Sequence, residues 1–305
     1  MAEQKFADFK FYHYDPSGAA ALIFTALFGL STIMNIYQML RTRTWYIIPF
    51  IIGGIASTIG YVGRYISSTQ TPDWTLIPYI IQTLLLLIAP AFFAASIYME
   101  LKRVIFVVKG EHLAPIRMRW LTKLFVGGDC LSLLMQASGG GLMGTKDVDK
   151  IDLGQKVILV GLVVQIIFFG LFVVTSVVFH LRTRSTPTHL TDRPDLPWRK
   201  HIFALYFMSI LIFVRSVFRV IEYAQGNTGY LLSHEIYLYI FDSLLMILVM
   251  FTMNFIHPSE LDALAHGGLV SRKGGIRYER IAPIENKEAG SSAELASMRP
   301  THRYA

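Results

Sequence analysis

Charge is scarce in this 305-residue chain: Asp, Glu, Lys and Arg make up 16% of it, against about a quarter in an ordinary soluble domain. Together with 53% hydrophobic residues, that deficit excludes a soluble enzyme with an ordinary hydrated surface, and a long disordered chain as well. The one cysteine, Cys130, can form no intramolecular disulfide. Lysine is missing from 234–257, which removes a retinal-type Schiff base from the last apolar segment. No GxxxxGK[ST] pattern is present, so there is no glycine-rich cradle for ATP phosphates. The nine histidines contain neither an HExxH nor an HxxxH pair and fall mostly in loops or at segment ends, so no catalytic zinc is expected. No nucleophile–base pair stands out. The reading is therefore of a non-enzyme, with no catalytic residue, metal or cofactor assigned.

What fills the chain is apolar sequence. A helix needs about 20 predominantly apolar residues to cross the hydrocarbon core, and seven segments qualify: 19–40, 45–66, 77–99, 120–144, 154–180, 200–224 and 234–257. The fourth is the least apolar, because it holds Lys123, Asp129 and Ser138-Gly139-Gly140-Gly141. The expected fold class is an all-α integral membrane protein, a seven-transmembrane helix bundle. Basic residues orient it. The segments 41–44, 100–119, 181–199 and the tail from 258 carry 18 Lys and Arg, whereas the N-terminus and the alternate loops carry 4. The basic side faces the cytoplasm, which puts the N-terminus out and the C-terminus in. The net charge of +7 follows from this asymmetry and needs no nucleic-acid partner. Residues 1–18 then form an extracytoplasmic N-terminus, 19–257 the transmembrane domain and 258–305 a cytoplasmic, largely disordered tail. No basic region or small-residue cleavage site precedes Ala19, so the first segment is expected to act as its own signal.

Ionisable residues inside the segments carry the functional signal, since each costs about 2.5–3.5 kcal/mol at a helix centre on insertion scales unless it pairs or meets water. They are Arg64, Asp129, Arg215, Arg219, Glu222 and Asp242, with Glu235 at the mouth of the last segment. Arg215, Arg219 and Glu222 share one helical face, as do Glu235, Tyr239 and Asp242. Asp129, Ser132 and Gln136 line a stripe of the fourth segment, Gly53, Ser57, Gly60 and Arg64 one of the second, and Gln82 and Gln165 add polar groups to the third and fifth. Placed by depth, these residues describe a polar cavity that opens outward and narrows near the midplane. Arg64, Gln82, Gln136, Gln165, Arg215, Arg219, Glu222, Glu235 and Asp242 are its candidate substrate-binding residues, and Asp129 and Asp242 its candidate proton carriers. The alternative for each is a structural bridge between helices.

The ordered set of motifs resembles the fungal lipid-translocating exporter family, the seven-span proteins named for resistance to aminocholesterol. It comprises Tyr12-x-Tyr14-x-Pro16-Ser17, Gly60-Tyr61-x-x-Arg64, Gln82 with Ala89-Pro90-Ala91, and Asp129 with Gln136-x-x-Gly139-Gly140-Gly141. Gly161-Leu162-x-x-Gln165, Arg215-x-x-x-Arg219-x-x-Glu222, Glu235, Asp242 and His257-Pro258 complete it. The resemblance implies fungal origin, a plasma-membrane or internal-membrane location, and movement or sensing of amphipathic lipids or toxic hydrophobic compounds. Two readings stand. One is a translocator of a cationic amphiphile such as a sphingoid base. The other is a receptor-like lipid sensor, with 100–119 and 181–199 relaying to a cytoplasmic protein partner. The third segment ends without Asp-Arg-Tyr and the last lacks Asn-Pro-x-x-Tyr, so likeness to the large receptor class stops at span count and orientation.

Overall fold

The computed structural model describes residues 15–70, 74–143, 148–188, 190–191, 196–225, 229–231, 234–272 and 274–283. Tyr12 and Tyr14 of the first motif lie outside them. Every predicted apolar segment is a helix: α1 Gly18–Thr42, α2 Ile48–Thr69, α3 Leu76–Val107, α4 Met118–Met143, α5 Val148–Ser185 and α6 Trp198–Gln225. The seventh, α7, runs from Glu235 to Phe255 and contains a π-helical stretch, Tyr239–Leu244. Six of the seven are long and apolar enough to cross a membrane. The exception is α4, whose Arg119, Lys123, Asp129 and glycine run dilute its apolar surface.

Local sequence sets the ends. Ser17 caps α1, its Oγ accepting from the Ala20 N–H at 3.4 Å, and the helix stops where Arg43 turns left-handed at φ 57°. A proline in the first turn of α2, Pro49, occupies a position where no intrahelical N–H is needed. The bundle is built from neighbours in sequence, with α1 on α2, α2 on α3 and α4 on α5 making the broadest contacts, and α1 closing against α7. Helix α3 also reaches α6, and its second half is buried almost all round, as expected for a helix apolar on every side. Close approach depends on small residues: a Cβ at Gly60 would sit 2.8 Å from Leu86, and one at Gly139 2.6 Å from the Gly154 carbonyl. Large apolar side chains such as Leu22, Leu30, Ile33, Leu134 and Val174 face outward, while Arg64, Arg215, Glu222 and Asp242 are inside. That distribution inverts the pattern of a water-soluble protein.

The beginning of the tail corrects the expectation of disorder. Pro258 ends α7, and α8 (Ser259–His266) follows with Glu260 and Asp262 in its first turn, where the helix dipole favours acids. Gly267, at φ 76°, then leads into an antiparallel hairpin of β1 (Gly268–Arg272) and β2 (Arg277–Ile281). The unit is fastened to the bundle by Tyr46, whose hydroxyl donates to the Pro258 carbonyl at 2.8 Å. Arg103 adds an ion pair to Asp262 and stacks 3.8 Å from the centre of the Tyr46 ring. Short amphipathic elements docked by polar anchors leave no long apolar period, so hydropathy alone did not reveal them.

Candidate functional site

Two helices bring their charges to one place. On α6, Arg215 and Arg219 point the same way, as their spacing of four predicts, and Glu222 follows one turn later. Across from them, Asp242 on α7 accepts from Arg215 Nε through Oδ1 and from Arg219 Nη2 through Oδ2. Arg219 Nη1 also donates to Glu222 Oε2 at 2.8 Å. The four side chains are buried and carry two charges of each sign, so they neutralise one another completely. Neutrality makes the burial tolerable, since an unpaired charge in this medium would be strongly unfavourable.

Pro90 has a defined part in this arrangement. Lacking an N–H, it leaves the carbonyl of Leu86, one turn earlier on α3, without its helical donor. Arg215 Nη2 donates to that carbonyl, so one guanidinium satisfies both α3 and Asp242. The sequence contained the signal, a proline four residues after Leu86, but nothing in it identified the donor.

The π-helical turn of α7 explains how neighbouring residues serve different helices. An i to i+5 turn is wider than an α-turn. Asp242 therefore faces α6 while Ser243, the next residue, meets the Tyr61 hydroxyl of α2. One turn earlier, Glu235 and Tyr239 converge on Arg64 of α2: Arg64 Nη2 donates to Glu235 Oε1 at 2.7 Å and Nε to the Tyr239 hydroxyl at 3.0 Å. Glu235 also accepts from the backbone N–H of Ser17, at 2.9 and 3.1 Å from its two oxygens. The start of α1 is thus pinned to α2 and α7 by one carboxylate. Ser17 belonged to a quoted motif; its use as a donor was not foreseeable from spacing.

Gln136 and Gln165 meet as side chains, Gln136 Nε2 donating to Gln165 Oε1 at 2.9 Å, and join α4 to α5. A double-mutant cycle with Gln136→Leu and Gln165→Leu should return a coupling of about 0.6 kcal/mol, the average for hydrogen bonds between membrane helices. A coupling of several kcal/mol would contradict a simple helix-joining role. Gln82 is buried on α3. Asp129 stands apart from the four-charge cluster. It is 3% exposed, neither carboxylate oxygen has a hydrogen-bond partner within bonding geometry among the described residues, and Tyr98 of α3 faces it. Phe125, Phe169 and Phe172 pack around Tyr98 with ring centres 4.5 to 6.2 Å away.

Most of the residues that helical spacing placed on the wall of the expected cavity are brought together: Arg64 with Glu235, Arg215, Arg219, Glu222 and Asp242 with one another, and Gln136 with Gln165. Among the described residues, no group of three or more His, Cys, Asp or Glu side chains is arranged to hold a metal ion.

A membrane bundle with this ordered set of buried charges matches known proteins. The family model described as RTA1 like protein matches residues 50–262, and the chain belongs to that family. It is 36% identical to protoporphyrin uptake protein 1 of Saccharomyces cerevisiae, the match covering 79% of this chain and 89% of the relative. It is 34% identical to protein RTM1 of the same species, with the same coverages. The sphingoid long-chain base transporter RSB1 of S. cerevisiae is 27% identical over 76% of this chain and 69% of its own length. No solved structure matches the chain significantly. The protein is an integral, multi-pass membrane protein of fungal type.

Proposed function

We propose that this protein translocates amphipathic molecules, of the sphingoid-base type or toxic hydrophobic compounds, across a bilayer, most simply the plasma membrane. Seven spans with the N-terminus outside and the tail in the cytoplasm complete the proposal, α4 being carried across by its packing against α3 and α5. The observation that carries it is the buried, charge-balanced cluster of Arg215, Arg219, Glu222 and Asp242 inside apolar helices. Such a cluster is a closed polar gate. An amine head group entering from the outer half competes with a guanidinium for Asp242 or Glu222, while its hydrocarbon chain stays between helices. The π-helical stretch Tyr239–Leu244 is the element that shifts, because a wide turn exchanges hydrogen-bond partners at lower cost than a regular one. Names of relatives support transport: one is a sphingoid long-chain base transporter and another a protoporphyrin uptake protein.

Energy comes from a proton or lipid gradient, since no phosphate-binding motif is present. The structure of the two acids favours Asp129 over Asp242 as proton carrier. Asp242 is held by two guanidinium groups, whereas Asp129 has no cationic partner among the described residues.

The test uses purified protein in liposomes and a fluorescent sphingoid base, with and without a pH gradient. Protein-dependent transbilayer movement is expected. It should fall at least tenfold in Arg219→Ala/Glu222→Ala, which removes one charge of each sign and leaves Arg215 balanced by Asp242. Binding without movement would favour a lipid sensor instead, and undiminished movement in the double variant would remove the α6 face from the pathway.

A further inference from the structure

A second cluster of titratable groups lies where α8 meets the bundle, away from the proposed gate. The His201 ring, on α6, is flanked by two buried carboxylates: Nδ1 is 3.2 Å from Glu100 Oε1 of α3, and Nε2 is 3.2 Å from Glu260 Oε2 of α8. All three side chains are within 4% of complete burial. A neutral imidazole has one N–H and one lone pair. If both carboxylates were ionised, that lone pair would face a carboxylate oxygen with no hydrogen between them.

We infer that Glu100, His201 and Glu260 form a proton-binding site, and that the bound proton latches the folded tail onto the helix bundle. The extra proton sits either on the ring, which then donates from both nitrogens, or on Glu100, which then donates to Nδ1. Its occupancy, not its address, makes both contacts attractive. Glu260 is the only one of the three that belongs to the tail, so the site joins α3 and α6 to α8.

The surrounding charges leave this requirement standing. Lys200 of α6 and Arg272 of β1 approach Glu260 from the exposed side, at 3.5 and 2.8 Å, and Glu279 of β2 lies 3.9 Å from Arg272. They compensate Glu260 but not Glu100, whose one hydrogen-bond partner among the described residues is His201 and whose Oε2 has none there. His257, at the end of α7, accepts from the Ser259 N–H through Nδ1 at 3.2 Å. Its proton is therefore on Nε2 and the ring is neutral. Arg103 of α3 is committed to Asp262 and to the ring of Tyr46.

The sign follows from linkage: the docked tail binds one proton more than the released one, so docking weakens as pH rises, by up to about tenfold per pH unit. Full-length protein in detergent or nanodiscs would be treated with trypsin between about pH 6.5, the ordinary imidazole range, and pH 9. Cleavage after Arg277 and Arg280 in β2 would be read by mass spectrometry and normalised to an unstructured peptide cleaved in the same tube. Normalised wild-type cleavage should be slow at the acidic end and rise at least tenfold by the alkaline end. Glu100→Gln supplies an amide donor to Nδ1 with no added proton, so its cleavage should stay slow throughout. Glu260→Gln makes the same substitution on the other side of the ring; should Glu100→Gln fail to fold, its flattened pH profile serves instead. A wild-type profile flat after normalisation, or a glutamine variant that keeps the full wild-type rise, would overturn the inference. Neither readout depends on transport, so this result and that of the liposome experiment are separable.

Discussion

Asp242→Ala should be the most damaging single substitution in the membrane interior. It leaves Arg215 and Arg219 with Glu222 as their remaining acidic partner, an uncompensated positive charge among apolar helices. Breaking a buried pair from one side costs about 3–5 kcal/mol, and here one carboxylate serves two cations. The expected result is loss of folded, monodisperse protein, or a large fall in the midpoint of thermal unfolding in detergent. Asp242→Asn keeps the shape and acceptor oxygen but not the charge, and should also unfold at lower temperature than wild type. A wild-type midpoint for Asp242→Ala would mean that the cluster does not hold the helices together. For the same reason, loss of transport in an Asp242 variant cannot by itself mark that residue as a proton carrier.

Asp129→Asn should do the opposite, sparing the fold and abolishing coupling. Among the described residues Asp129 has no cation beside it; Tyr98 faces it, within a surround that includes Phe125 and Phe172. A neutral amide fits there at least as well as a carboxylate, because burying an ionised group without a partner is strongly unfavourable. In liposomes, movement of the labelled sphingoid base driven by a pH gradient should fall to the level measured without one. Thermal stability should be unchanged or raised. If gradient-driven movement survives in Asp129→Asn, the proton enters elsewhere. If stability falls by several kcal/mol, Asp129 is ionised and paired in a way that its surroundings do not suggest.

Much of the architecture was legible before any coordinates. Apolar runs of about 20 residues can satisfy their backbone in lipid only as helices, so all seven predicted segments appear as helices, the third running on to Val107 and the fifth spanning Val148–Ser185. Spacing of four and three on α6 placed Arg215, Arg219 and Glu222 on one face, since a helix has a fixed 3.6-residue period. The same rule gave the Glu235, Tyr239 and Asp242 stripe, and there it was incomplete. It assumed an α-helix, whereas the π turn at Tyr239–Leu244 lets Asp242 and Ser243 both face inward. The tail was underestimated because α8, β1 and β2 are short and are held by particular anchors such as Tyr46 and Arg103.

The sequence by itself determined that the chain lives in a membrane, and it named Arg64, Asp129, Arg215, Arg219, Glu222 and Asp242 as charges inside the spans but not His201 or Glu100. These are properties of composition and of one-helix periodicity, which need no knowledge of neighbours. Partners were decided by the tertiary structure alone. That Arg215 completes the carbonyl freed by Pro90, that Glu235 holds the start of α1, that Asp129 has no cation beside it among the described residues and that His201 bridges two carboxylates all depend on helices distant in sequence meeting at one depth and rotation. Packing sets those angles, and a single helix does not encode them. A row of charges consistent with an open cavity is, once the helices are assembled, a set of buried ion pairs.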